Sequence, residues 1–301
     1  MIGYTCKRTG ALVLCLALLG GCALFGGEDD DAQQEADVNA TEQFIYRSVQ
    51  RSLRAGNYQQ AIEHLQELEA RFPFGRYAEQ AQLELIYAHY MGYNPEAARS
   101  AADRFIRLHP QHPNVDYAYY LKGLAAFNKN RGIIDRVFAT DLSKRDMTSA
   151  RDAYADFTDL LSRFPDSPYA PDARKRMLYL RNLLGRHEYN VASFYMKRGA
   201  YVAAANRARQ VVENYSKSDA VPDALALLVE ANHKLGLDDA ASDALQVLAL
   251  NFPQYEAFDE EGNLVLTEQI RNRDRSWANL VTLGLLDRPE VPPPIKVEQE
   301  D

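Results

Sequence analysis

Apolar positions recur along most of this chain at i, i+3, i+4 and i+7, the period of an α-helix, and the stretch 69–90, EARFPFGRYAEQAQLELIYAHY, shows how the helices are punctuated. Leu83, Ile86, Tyr87 and Tyr90 form one apolar line, and Ala81, Leu85 and Ala88 form a second. So wide an arc predicts a helix with neighbours on both sides. Upstream, Pro73 removes a backbone donor and Gly75 admits angles that side chains forbid, so the chain must break there between two helices. Alternating strand-like runs are scarce, whereas Ala, Leu, Arg, Gln and Glu dominate, which predicts an all-α fold.

The helix breaks recur in register. Twelve residues before each stop stand Ala61, Ala98, Ala153, Ala204 and Ala241, and five residues before it Leu68, Phe105, Leu160, Val211 and Leu248. Phe72, His109, Phe164, Tyr215 and Phe252 immediately precede the stops, which are Pro73, Pro110, Pro165, Ser216 and Pro253. Eight residues after the first four stops come Ala81, Ala118, Ala173 and Ala224. Small residues at fixed points let paired helices approach closely while the large ones fill the space between pairs. The positions Gly56, Tyr58, Ala61, Leu65 and Pro73 resemble the tetratricopeptide repeat, and five such repeats are implied. The fold expected is therefore an α-solenoid of about five helix-turn-helix units with a C-terminal capping helical segment. Stops 37, 55, 51 and 37 residues apart place extra length in two middle units, as insertions or longer helices. Most of the third unit's excess lies in residues 128–148, where Ile133, Ile134, Val137 and Phe138 favour a loop that packs on something.

The two ends differ from the body. Lys7 and Arg8 precede an apolar run from Ala11 to Leu19 too short to span a bilayer comfortably, which predicts an export signal over residues 1–21. Leu19-Gly20-Gly21-Cys22 resembles the lipobox of bacterial lipoproteins and implies cleavage before Cys22 with a diacylglyceryl group and fatty acid (palmitate) on the new terminus. Multiple acyl chains anchor stably where one does not. Ala23, where inner-membrane lipoproteins often carry Asp, points to the outer membrane. Residues 22–40, rich in Gly, Asp and Glu, are expected to be a disordered acidic tether. Residues 41–254 form the repeat region, and 255–301 an extension, partly helical around Trp277 and then disordered past Pro292-Pro293-Pro294.

Charge and cysteine content narrow the function. The formal charge is −8, and removal of Lys7 and Arg8 makes it more negative, so sequence-blind binding of nucleic acid is not expected. Cys6, Cys15 and Cys22 all precede the repeats, which leaves no thiolate metal site or intrachain disulfide in the body. No convergent catalytic set, Gly-rich phosphate loop or H-E-x-x-H motif stands out, so neither an enzyme, a cofactor nor a metal is expected. His109 and His112 are the best metal pair on paper, yet Pro110 and Pro113 place them in a turn without an obvious third ligand. Binding is the better reading. The first units are rich in tyrosine, including Tyr77, Tyr87, Tyr90, Tyr117, Tyr119 and Tyr120, which suits capture of an extended aromatic peptide, although periodic aromatic stripes also fill repeat cores and a mixture of the two roles is expected.

Longer stretches carry a more specific likeness. RFPFGRY, the run from Gln82 to Tyr90, the run from Asp103 to Leu124, FATDLSKRD at 138–146 and KRGAYVAAANR at 197–207 together resemble the BamD (ComL/YfiO) family of outer-membrane lipoproteins. The resemblance covers roughly Thr41 to Pro253. It implies a non-enzymatic scaffold of the β-barrel assembly machinery, lipid-anchored in the outer membrane and facing the periplasm. Such a scaffold binds unfolded outer-membrane proteins through substrate-side repeats (41–167) and its partners BamA, BamC and BamE through partner-side repeats (168–254). By motif, Phe72, Pro73, Phe74, Gly75 and Tyr77 are implied to bind substrate peptide, with Tyr87 and Tyr90 of the tyrosine-rich face expected to join them, and Arg198 is implied to meet an acidic residue of BamA. A tetratricopeptide lipoprotein scaffold for peptidoglycan synthesis or cell division is the alternative that the anchor and repeats alone would allow.

Overall fold

A computed structural model describes residues 28–129, 141–259 and 263–265 of the chain. The signal segment with Cys22, the middle of the 128–148 insert and the extension beyond 265 lie outside the described residues. Ten α-helices follow one another among them: α1 (Glu28–Arg54), α2 (Tyr58–Arg71), α3 (Ala78–Met91), α4 (Pro95–Leu108), α5 (Val115–Asn128), α6 (Thr148–Arg163), α7 (Ala170–Lys197), α8 (Tyr201–Asn214), α9 (Val221–Lys234) and α10 (Asp238–Asn251). The expected all-α repeat architecture is what forms. The chain divides into two compact units between Phe105 and Ile106.

Within each unit, helices pack mainly on their sequence neighbours, as repeats must. In the first, Ile45 and Val49 of α1 close the α2–α3 hairpin over Ala61, Leu65, Leu68, Ala81 and Leu85. In the second, α7 to α10 surround a core of small residues and leucines that includes Ala204, Ala208, Ala224 and Leu248. The alignment of stops predicts burial well. All five alanines twelve residues ahead of a stop are buried, and all five large residues at the later position are fully so. Each such Leu, Val or Phe contributes about 1.5–3 kcal/mol by leaving water.

Two kinds of turn repeat with the helices. Where the second helix of a pair ends, an amide bonds back five residues: Asn57 N to Ser52 O, Asn94 N to His89 O, Ala200 N to Tyr195 O and Leu237 N to Asn232 O, at 2.9–3.1 Å. This 6→1 closure needs a left-handed residue just before the donating amide. Gly56, Gly199 and Gly236 supply it with φ near +70°, but in the second repeat Tyr93 takes it at φ 56°.

The two long spacings have different causes. In the third unit the excess is the segment between α5 and α6, whose described end holds a one-turn 3-10 helix, Leu142–Lys144. In the fourth it is α7, with 28 residues against the 14 of α3, α5 and α9. Residues 28–39 depart from expectation, because they open α1 instead of forming an unstructured tether. Helix propagation from a packed nucleus is inexpensive in a sequence that supplies Ala, Gln and Glu.

Candidate functional site

The turn after α2 holds most of the expected substrate residues, and its geometry follows from a ladder of amides. Phe72 N donates to Leu68 O, Gly75 N to Phe72 O and Ala78 N to Gly75 O, at 2.8–3.1 Å. The same ladder closes the third and fourth units through Phe164, Ser167 and Ala170, and through Tyr215, Ser218 and Val221. In those units the serine hydroxyl accepts from the amide two residues on, Tyr169 N to Ser167 Oγ and Ala220 N to Ser218 Oγ, both at 3.2 Å. His112 does this in the second unit, where its Nδ1 accepts from Asn114 N at 3.0 Å. Among the described residues no cluster of three or more His, Cys, Asp or Glu could hold a metal.

Gly75 has no side chain to offer, and the acceptor comes from α1. Glu42 Oε1 takes the Tyr77 amide at 2.9 Å, with Glu42 only 3% exposed. A Cβ on residue 75 would run into that carboxylate, so glycine is needed here for space. Tyr77 is also stacked on Tyr46, with ring centroids 4.2 Å apart and planes at 12°. The Tyr46 hydroxyl donates to Glu84 Oε1 at 2.9 Å, and Gln50 Nε2 donates to the same oxygen at 2.8 Å. Burial and the nearby Glu84 carboxylate push the Tyr46 phenol well above its ordinary range.

The seven expected substrate residues have two addresses. Phe72 and Tyr77 are half-buried against the core of the first unit, and the Arg71 guanidinium lies 5.6 Å from the Phe72 ring centroid. Pro73 is exposed and Phe74 is 98% exposed, an aromatic presented to solvent from the tip of the turn. Tyr87 stands nine residues along α3 from the helix start, about 13 Å at 1.5 Å per residue, and meets Tyr58 edge-on at 6.3 Å. Tyr90, one turn further, is half-buried. Tyr87 and Tyr90 thus belong to the far end of the hairpin.

Arg198 caps the C-terminus of α7, where Gly199 turns the chain at φ 68°. Its guanidinium lies 4.5 Å from the centroid of Phe194, one helical turn back and 50% exposed. The middle of the same helix is a polar hub. Glu188, 2% exposed, accepts from Arg151 of α6 at 3.1 Å and from Arg207 of α8 at 2.8 Å. Arg186 pairs with Asp223 of α9, which also accepts from the Tyr255 hydroxyl at 3.0 Å. His187 Nδ1–H donates to Ser143 O at 2.7 Å and Asn190 Nδ2 to Ser143 Oγ at 2.6 Å, which docks the end of the insert on α7.

Comparisons with known proteins agree with this architecture. The YfiO family model, described as an outer membrane lipoprotein, matches residues 38–248. The chain belongs to this family. "Outer membrane protein assembly factor BamD" of Neisseria meningitidis serogroup A is 44% identical over 236 residues, covering 78% of this chain and 88% of that one. Proteins of the same name from Xylella fastidiosa 9a5c and Vibrio cholerae El Tor are 39% and 36% identical, over 80% and 79% of this chain and 83% and 96% of theirs. A crystal structure of MamA protein aligns at a TM-score of 0.31 with 14% identity, over 72% of this chain and 96% of its own, too slight a likeness to bear on the fold. Membership in the YfiO family agrees with the likeness carried by the stretches between residues 71 and 207. Among the described residues no helix is long and apolar enough to cross a membrane.

Sequence reasoning missed Glu42, Tyr46 and Glu84, and with them the way α1 completes the turn. One signal was available. Aligned at their stops, the five turns carry Gly75, His112, Ser167, Ser218 and Tyr255 at one position, and only the first lacks a side chain.

Proposed function

We propose that this protein is a non-enzymatic scaffold of the outer-membrane β-barrel assembly machinery, which binds unfolded outer-membrane proteins and BamA and promotes their folding and insertion. Its 44% identity, over most of both chains, to a protein named as an outer membrane assembly factor carries this reading. The exposed Phe74, set on a turn whose shape is enforced by Glu42, supports client recognition by aromatic contact. Tyr87 and Tyr90 extend the client surface along α3. Arg198, exposed at the end of α7, is the contact to an acidic residue of BamA, and BamC and BamE are further partners of the second unit. Acylation at Cys22 tethers the chain to the outer membrane on its periplasmic side.

Affinity capture of the lipidated chain from detergent-solubilised outer membranes tests the reading. Recovery of BamA together with barrel proteins is expected. Recovery of cell-wall synthesis or division enzymes without BamA would overturn it and assign the scaffold to peptidoglycan. A Cys22→Ser chain is expected to lose acyl labelling, and persistence of the label would refute the anchor.

A further inference from the structure

The acids of this chain are unevenly placed. It carries 42 Asp and Glu in 301 residues, yet residues 189–212 contain none, while Lys197, Arg198, Arg207 and Arg209 all lie there. Arg207 is spent on buried Glu188, but Lys197 and Arg198 are exposed, and Arg198 has no acidic partner among the described residues. Two apolar side chains nearby in the chain are left open by packing, Phe194 under the Arg198 guanidinium at 50% and Val202, early in α8, at 61% exposure. Phe194 is braced by an edge contact with Tyr195, ring centroids 5.8 Å apart. A guanidinium lying on a ring loses few rotamers on binding and still offers its N–H edge outward.

We infer that Phe194 is the apolar anchor of the partner surface that includes Arg198, and that the surface takes a protein face carrying a carboxylate beside an apolar side chain. This rests on the reading that Arg198 meets BamA, and supplies what a lone exposed ion pair lacks. A solvent-exposed charge pair contributes little by itself, whereas a charge pair sealed against water by an aromatic neighbour contributes much more. The local excess of positive charge in an acidic protein favours an acidic partner and repels the same surface on a second copy of the chain.

The test is binding of the soluble BamA periplasmic domains to the full chain and to its Phe194→Ala, Phe194→Leu, Arg198→Lys and Arg198→Glu variants, each checked for native helicity. Phe194→Ala should weaken binding by about tenfold or more, the loss typical of a central aromatic anchor. Phe194→Leu should recover part of it, because the apolar contact returns without the ring under the guanidinium. Arg198→Lys keeps the charge and loses the stacked plane, so it should fall between the unaltered chain and Arg198→Glu. Binding that Arg198→Glu abolishes but Phe194→Ala leaves within about twofold overturns this inference alone. If the unaltered chain does not bind, the BamA contact and the anchor fall together. Phosphatidylglycerol vesicles form a second arm, and vesicle binding lost in Phe194→Ala while BamA binding persists would reassign the surface to lipid.

Discussion

Glu42 Oε1 accepts a hydrogen bond from the Tyr77 amide at 2.9 Å, joining α1 to a turn 35 residues downstream. In the third and fourth repeats a serine in the turn does the same task at 3.2 Å. The first repeat has moved the acceptor onto another helix, so the Tyr77 amide in the turn that presents Phe74 keeps its partner only while α1 is docked.

Gly75→Ser should therefore be destabilising, because its Cβ collides with the Glu42 carboxylate and pushes it off the Tyr77 amide. A loss of about 1–3 kcal/mol is expected from overpacking. The same substitution in a Glu42→Ala background should cost less than the sum of the two changes, since the introduced hydroxyl can then accept the Tyr77 amide as Ser167 does for Tyr169. Chemical denaturation of the four chains gives the coupling, and strict additivity would refute the exchange.

Tyr93 stands in the left-handed conformation that Gly56, Gly199 and Gly236 occupy in equivalent turns, and it is 88% exposed, so little packing holds it there. Tyr93→Gly should stabilise the protein by up to about 1 kcal/mol, the relief of strain exceeding the added chain entropy. Gly236→Ala should destabilise by a similar amount, although no atom lies near enough to clash. Thermal unfolding of both variants measures the two signs.

Glu188 is buried between Arg151 and Arg207, whose own side chains are 49% and 42% exposed. Removing both arginines leaves a carboxylate stranded away from water. The double alanine variant should lose about 3 kcal/mol, while Glu188→Gln, which keeps the volume and frees two solvated cations, should lose less. Equal losses measured by urea denaturation would show that the cations matter only as packing.

Burial lowers the pKa of His89 below its ordinary 6.5. The unfolded chain then binds a proton before the folded one does, so the contribution of this residue to stability is fully present above about pH 6.5 and declines as pH falls through the interval down to the folded value. Replacement by Gln should flatten stability against pH between about 7 and 5. A His89→Gln chain with the same slope as the parent would show that other groups set it.

The repeat register was legible in sequence because burial at Ala61, Leu68 and their equivalents depends on local spacing alone. Arg198 and Phe74 were singled out only through the family likeness, and their exposure emerges from the structure, where one ends a helix before glycine and the other sits between proline and glycine. Glu42 was not legible. Its partner is an amide 35 residues away, and a buried carboxylate looks the same in sequence as the solvated ones around it. The doubled length of α7 was legible only as excess spacing, because nothing in periodicity distinguishes a longer helix from an inserted loop.

The 28 residues of α7 make a rod about 42 Å long, without a joint, shared by two repeats. Ser143 is fastened at His187 and Asn190, and Arg198 sits two to three turns beyond, about 12–17 Å along the axis. A loop between them would absorb strain, but a continuous helix conveys it. The end of the insert and the Phe194–Arg198 surface are thus held at a fixed spacing on one shaft.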